Sequence, residues 1–203
     1  MKLRLYLQQQ IKQNRWQFLI VTSVFVIGFF LGYYKIPALD TEVRKYLLQT
    51  LDNYLLSNQA GSSNGYGIFI YAFWEQLKSI GLIWFLGLTI IGFPLILTVV
   101  FGRGYSLGFT LGFLIQAKDV KGILILLLTV LPQNIIYIPF IIILAVTALN
   151  FSLNIVRPNR NPHASLSSQL LVYGINLVFF LAIFLIGAFV EGFLSPWLLS
   201  LFL

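Results

Sequence analysis

GILILLLTVLPQNIIYIPFIIILAVTALNFSLNIV, residues 122–156, carries no charged side chain between Lys121 and Arg157. A helix needs about 20 apolar residues to cross the hydrocarbon core of a bilayer, and this run exceeds that length. Working outward, charges bound further uncharged runs. Arg15 and Lys35 enclose residues 16–34, and Lys78 and Arg103 enclose 79–102. A shorter run, 104–117, ends at Lys118. Residues 170–191 form the last apolar stretch and close on Glu191.

Composition gives the same class. Of 203 residues, 59% are hydrophobic and 9% charged. Soluble domains are nearer a quarter charged. The expectation is one all-α integral membrane domain with about five transmembrane segments. The third segment, 104–117, is short: a helix rises only 1.5 Å per residue, so it either borrows Gly102 and Arg103 or is re-entrant. The fourth, 122–156, is broken by Pro132 and Pro139, which remove backbone donors and kink helices. The basic stretch 1–15 precedes a run too long for a signal-peptide core, so the first segment is read as a retained anchor.

Residues 35–78 form the largest polar region, read as an extracytoplasmic loop. Within it, residues 40–56 have Leu39, Val43, Leu47, Leu51 and Leu55 at helical spacing, which predicts an amphipathic helix. Residues 57–65 are a Ser/Asn/Gly linker. Residues 68–80 mix aromatic and charged side chains, as an interfacial helix does. Tyr71, Phe73 and Trp74 are the candidate partner or interface residues, since aromatics are enriched at interfaces.

Charge sets the expected orientation. With the N-terminus cytoplasmic, Lys2, Arg4, Lys12, Arg15, Arg103, Arg157 and Arg160 lie inside. Lys35, Arg44, Lys45, Lys78, Lys118 and Lys121 lie outside. The basic count barely discriminates, so the four basic residues before the first segment carry the argument. Residues 157–169 are then a cytoplasmic loop and 192–203 a C-terminal tail. The net charge of +7 is read against anionic lipid and topology, with no nucleic-acid partner.

Two motifs stand inside the apolar runs. Gly104, Gly108 and Gly112 make a doubled G-x-x-x-G, and Gly28 and Gly32 repeat the spacing. Such faces let helix backbones approach closely, so these five glycines are helix-packing candidates. Pro132, Gln133, Asn134 and Pro139 mark a helix break, either a kink satisfied by neighbours or a broken helix lining a pathway. Arg103 reads as a boundary residue that snorkels to the headgroups, and Glu191 as an interface residue.

The chemistry available is narrow. The absence of cysteine excludes disulfides, thiol catalysis and Cys-ligated metals, and one histidine, His163, excludes a multi-His metal site. No acid accompanies His163 in its loop, and nucleophilic catalysis needs a positioned base and nucleophile. No catalytic residue, cofactor or metal site is expected, and the chain is read as a non-enzyme.

Several stretches together resemble one family. IWFLGLTIIGFP (residues 83–94), RGYSLGFTLGF (103–113), KGIL (121–124) with LPQN (131–134), FSL (151–153) and EGFLSP (191–196) are similar to stage II sporulation protein M. The resemblance covers nearly the whole chain, although residues 35–67 carry no motif of it. It implies a multi-pass protein of the mother-cell or septal membrane, required for engulfment of the forespore. It further implies a scaffold that localises the peptidoglycan-degrading stage II sporulation proteins P and D. The alternative is a small transporter or channel subunit, favoured by the Pro-broken run and opposed by the lack of a carboxylate or lysine deep in any run.

Overall fold

The computed structural model describes residues 14–59, 64–156 and 166–201, and every regular element among them is helical. Helix α1 is Arg15–Tyr34, followed by a 3-10 turn at Ile36–Ala38. Helix α2 is Thr41–Gln59, and α3 is Gly65–Gly87. Helix α4 runs from Gly92 to Ile125, a π turn covers Leu126–Val130, and α5 is Leu131–Val156. Helix α6 is Leu166–Phe189, a second π turn covers Val190–Leu194, and α7 is Ser195–Ser200.

Helix α4 reverses at Asp119, whose φ is 48° and ψ −125°. A straight helix would hold Leu114 and Gly122 about 12 Å apart. Instead a Cβ at Gly122 would collide with the Leu114 carbonyl, so only glycine admits this hairpin. Among the described residues the result is five long helical arms: α1, α3, residues 92–118, 120–156 and 166–200. Three stretches are long and apolar enough to cross a membrane, Arg15–Tyr34, Gly92–Ile155 and Ser167–Ser200, and the second contains the reversal.

The arms pack on a core of Ile80, Ile83, Ile96, Val100, Leu144 and Phe184, among others. Towards one end of the bundle, Trp84 Nε1 donates to the Tyr173 carbonyl at 3.3 Å, and the Tyr173 hydroxyl returns a bond to the Trp84 carbonyl at 2.9 Å. Near the opposite end, Leu51 and Leu55 of α2 pack on a smaller cluster of Leu114, Ile125, Leu126 and Leu199. Lys118 pairs with Asp52 at 2.6 Å and ties α2 to the turn at Asp119.

Helix boundaries drawn at charges are corrected. No helix ends at Arg103, so 104–117 is not a separate short segment but part of the arm 92–118. The guanidinium has partners inside the bundle and need not leave it. The chain turns earlier, between Gly87 and Gly92, within the expected segment 79–102. There Thr89 Oγ1 donates to the Leu86 carbonyl at 2.8 Å, and a Cβ at Gly92 would press on that same carbonyl. Pro94 sits in the first turn of α4, where backbone N–H groups have no helical acceptor. Consequently α3 begins at Gly65, with Asn64 Oδ1 accepting from the Gly67 N–H at 3.0 Å, and residues 68–78 belong to the bundle instead of a loop.

The fourth segment is not broken. A π turn ends where the Leu131 N–H bonds the Leu126 carbonyl, immediately before Pro132. The wider turn accommodates the proline, and side chains serve nearby carbonyls. Thr129 Oγ1 donates to Ile125 at 2.8 Å, Gln133 Nε2 to Thr129, and Asn134 Nδ2 to Val130 at 2.7 Å. Pro139 lies within α5 without ending it. The same device recurs at Val190–Leu194 before Pro196, so Glu191 lies within a helical arm that continues to Ser200, and 192–203 is not simply a tail. His163, the loop around it, Lys2, Arg4 and Lys12 lie outside the described residues.

Candidate functional site

Helices α1 and α4 run parallel with glycine against backbone. A Cβ at Gly28 or Gly32 would meet the backbone of Phe101 to Phe109, and a Cβ at Gly104 or Gly108 would meet that of Phe25 and Phe29. Gly112 faces Tyr33 and Ile36, with 3.1 Å to each from a built Cβ. This seam fixes depth. Phe25 lies near the middle of α1, and Gly104 is pressed against it, so Arg103 sits at mid-bundle.

A cavity of about 270 Å³ opens at that level. Helix α3 contributes Gln76, and α4 contributes Arg103, Ser106 and Thr110. Helix α5 supplies Gln133, Asn134 and Tyr137, and the second π turn supplies Glu191. Apolar contacts come from Phe25, Leu107, Val130, Ile138 and Ile141.

The polar groups are partly chained together. Arg103 Nη2 donates to Ser79 Oγ and, at 3.3 Å, to the Glu75 carbonyl. The Tyr137 hydroxyl donates to Glu191 Oε2 at 3.1 Å and is itself bonded by Gln76. Buried Ser195 donates to Gln133 Oε1 at 3.1 Å, linking the two π-turn arms. Outside the apolar arms, burial and then the nearby Glu191 carboxylate push the Tyr54 phenol above its ordinary value, which places α2 close to that end of the site.

Two sequence readings change here. Arg103 is not a boundary residue between two segments, and both it and Glu191 line the cavity. Of the expected break residues, Gln133 and Asn134 line it, while Pro132 and Pro139 do not. The aromatic candidates separate. Tyr71 and Trp74 are exposed by 70% and 58% on one face of α3. Phe73 is half-buried and stacks on Phe69, which packs on Phe193, so it is not part of that outward face. Beside Trp74, Glu75 and Lys78 form an exposed ion pair at 2.5 Å.

The family model described as stage II sporulation protein M matches residues 19–196. The chain belongs to this family. Membership and the apolar helices mark it as a sporulation-related membrane protein. No curated protein and no solved structure matches the chain. The matched region takes in most of α1 and of the arm 166–200, the other three long arms whole, both π turns and every residue that lines the cavity. Among the described residues no group of three metal-binding side chains occurs.

Proposed function

We propose that this family member is a non-catalytic, multi-pass membrane anchor that positions peptidoglycan-degrading enzymes at the septum during engulfment. In this reading α1, α3 and the arms 92–118, 120–156 and 166–200 all cross the membrane. The N-terminus is cytoplasmic, and α2 lies on the extracytoplasmic side. The partners are those the family resemblance implies, stage II sporulation proteins P and D.

One observation carries the anchoring role. Arg103 at mid-bundle bonds the Glu75 carbonyl, so the exposed Glu75–Lys78 pair stands near the middle of α3's passage. Ionised groups facing hydrocarbon cost several kcal/mol. Flanked by Tyr71 and Trp74, this face suits contact with another protein segment better than contact with lipid. Replacing Tyr71 and Trp74 together by Ala should abolish septal recruitment of proteins P and D, with membrane insertion intact. Unchanged recruitment would remove the support for anchoring through α3.

The cavity favours a second reading, a small transporter or channel subunit. The sequence offers no carboxylate deep in an apolar run, yet Glu191 lines this cavity. Solute flux into liposomes carrying the purified chain separates the readings.

A further inference from the structure

We propose that the cavity binds a small zwitterion of the α-amino-acid type with a short apolar side chain. The inference is independent of the anchoring role and of transport, since it concerns binding alone.

Among the described residues, Arg103 and Glu191 are the only charged ones lining the cavity, and they have opposite sign. Their hydrogen bonds are to neutral groups, Arg103 to Ser79 and a carbonyl and Glu191 to Tyr137, while the Glu75 carboxylate near the guanidinium is already paired with Lys78. No ion pair joins the two among the described residues. Buried charges usually pair directly, because each unpaired one carries a desolvation cost of several kcal/mol. Here both are half-buried and line one cavity of about 270 Å³ with no ion pair between them, room enough for a small solute.

The complement follows from chemistry. A ligand carboxylate matches the guanidinium through charge-assisted hydrogen bonds, and an ammonium matches the carboxylate. Phe25, Leu107, Ile138 and Ile141 receive a short alkyl group. A ligand with one charge leaves the opposite protein charge unmatched, and sites with buried polar groups reject such analogues strongly. The π turn that presents Glu191 and the one that precedes Gln133 fit this use, because π turns recur at functional sites.

The test uses the purified full chain in nanodiscs and three matched probes: L-alanine, propionate, which lacks the amine, and ethylamine, which lacks the carboxylate. Calorimetry should show L-alanine binding about tenfold or more tighter than either analogue, a gap of at least about 1.4 kcal/mol. Arg103→Gln should lower L-alanine to the level of ethylamine, and Glu191→Gln to the level of propionate. No detectable L-alanine binding, or equal binding of all three probes, overturns the proposal. The wild-type comparison decides even if a variant fails to fold. Tyr71→Ala/Trp74→Ala should leave this binding unchanged, which separates its failure from failure of the anchoring reading.

Discussion

Gly108→Ala is the sharpest probe of the packing that holds the bundle. A Cβ there would stand 2.7 Å from the Phe29 carbonyl carbon and 2.9 Å from its Cα, whereas ordinary contact begins at 3.4 Å. Neither atom can swing aside, because both are backbone. The helices must therefore part by at least 3.4 − 2.7, or 0.7 Å. A gap of that order forfeits a quarter to a half of each dispersion contact, and with roughly 40 atom pairs at about 0.15 kcal/mol the loss is about 2 kcal/mol. Overpacking penalties of about 1–3 kcal/mol bracket the same value. Unfolding of the purified chain in mixed SDS and dodecyl maltoside, followed by tryptophan fluorescence, should show the equilibrium shifted about thirtyfold. Gly102→Ala is the matched control in the same helix, since nothing lies within 4 Å of its Cβ position. It should be neutral or stabilising by up to about 1 kcal/mol through helix propensity. If the two variants unfold within about 0.5 kcal/mol of each other, a difference typical of neutral surface changes, the close seam between α1 and α4 is wrong.

Two further outcomes are expected. Asp119→Gly should stabilise the chain by about 1 kcal/mol, because an L side chain at φ 48° is strained and glycine is not. For a chain of this size the thermal midpoint should rise by about 2–4 °C, and an unchanged or lower midpoint would refute the strain. Single cysteines in place of Asp119 and Arg160, introduced into a chain that has no cysteine of its own, should react with impermeant maleimide from opposite sides of the membrane. Labelling from one side alone would remove the five-crossing topology.

How much of this was legible depended on whether a residue's role is local. Glycine spacing is local, and the pattern at Gly28, Gly32, Gly104 and Gly108 named the residues where α1 and α4 now meet. The amphipathic spacing of Leu51 and Leu55 was legible for the same reason, and both pack on the bundle. Charge was the misleading signal. The sequence places a segment boundary at Arg103 because an isolated arginine in hydrocarbon is costly. That argument holds only without partners, and the partners, Ser79 and the Glu75 carbonyl, belong to another helix. The role of Glu191 in the cavity was hidden for the same reason, since its partner Tyr137 is remote in sequence. Proline misled differently: Pro132 implies a break in an α-helix, but a π turn absorbs it, and no residue type signals a π turn. Tyr71, Phe73 and Trp74 were grouped by adjacency, although helical geometry places neighbours about 100° apart, so Phe73 points elsewhere.

The glycine seam and the charged cavity are one construction. Arg103 adjoins Gly104, and Gly104 is pressed on Phe25, whose side chain lines the cavity beside the guanidinium. The register of α1 on α4 therefore sets the depth of Arg103 against α1, while the bonds to Ser79 and the Glu75 carbonyl hold α4 on α3. Lipid supplies no hydrophobic drive to hold helices together, so that register depends on close contact of small residues. A looser seam would free α4 to shift, and Arg103 would lose its neutral acceptors or reach the lipid. Thus the backbone contact at Gly104 and Gly108 holds Arg103 at mid-bundle, where Ser79 and the Glu75 carbonyl serve its guanidinium.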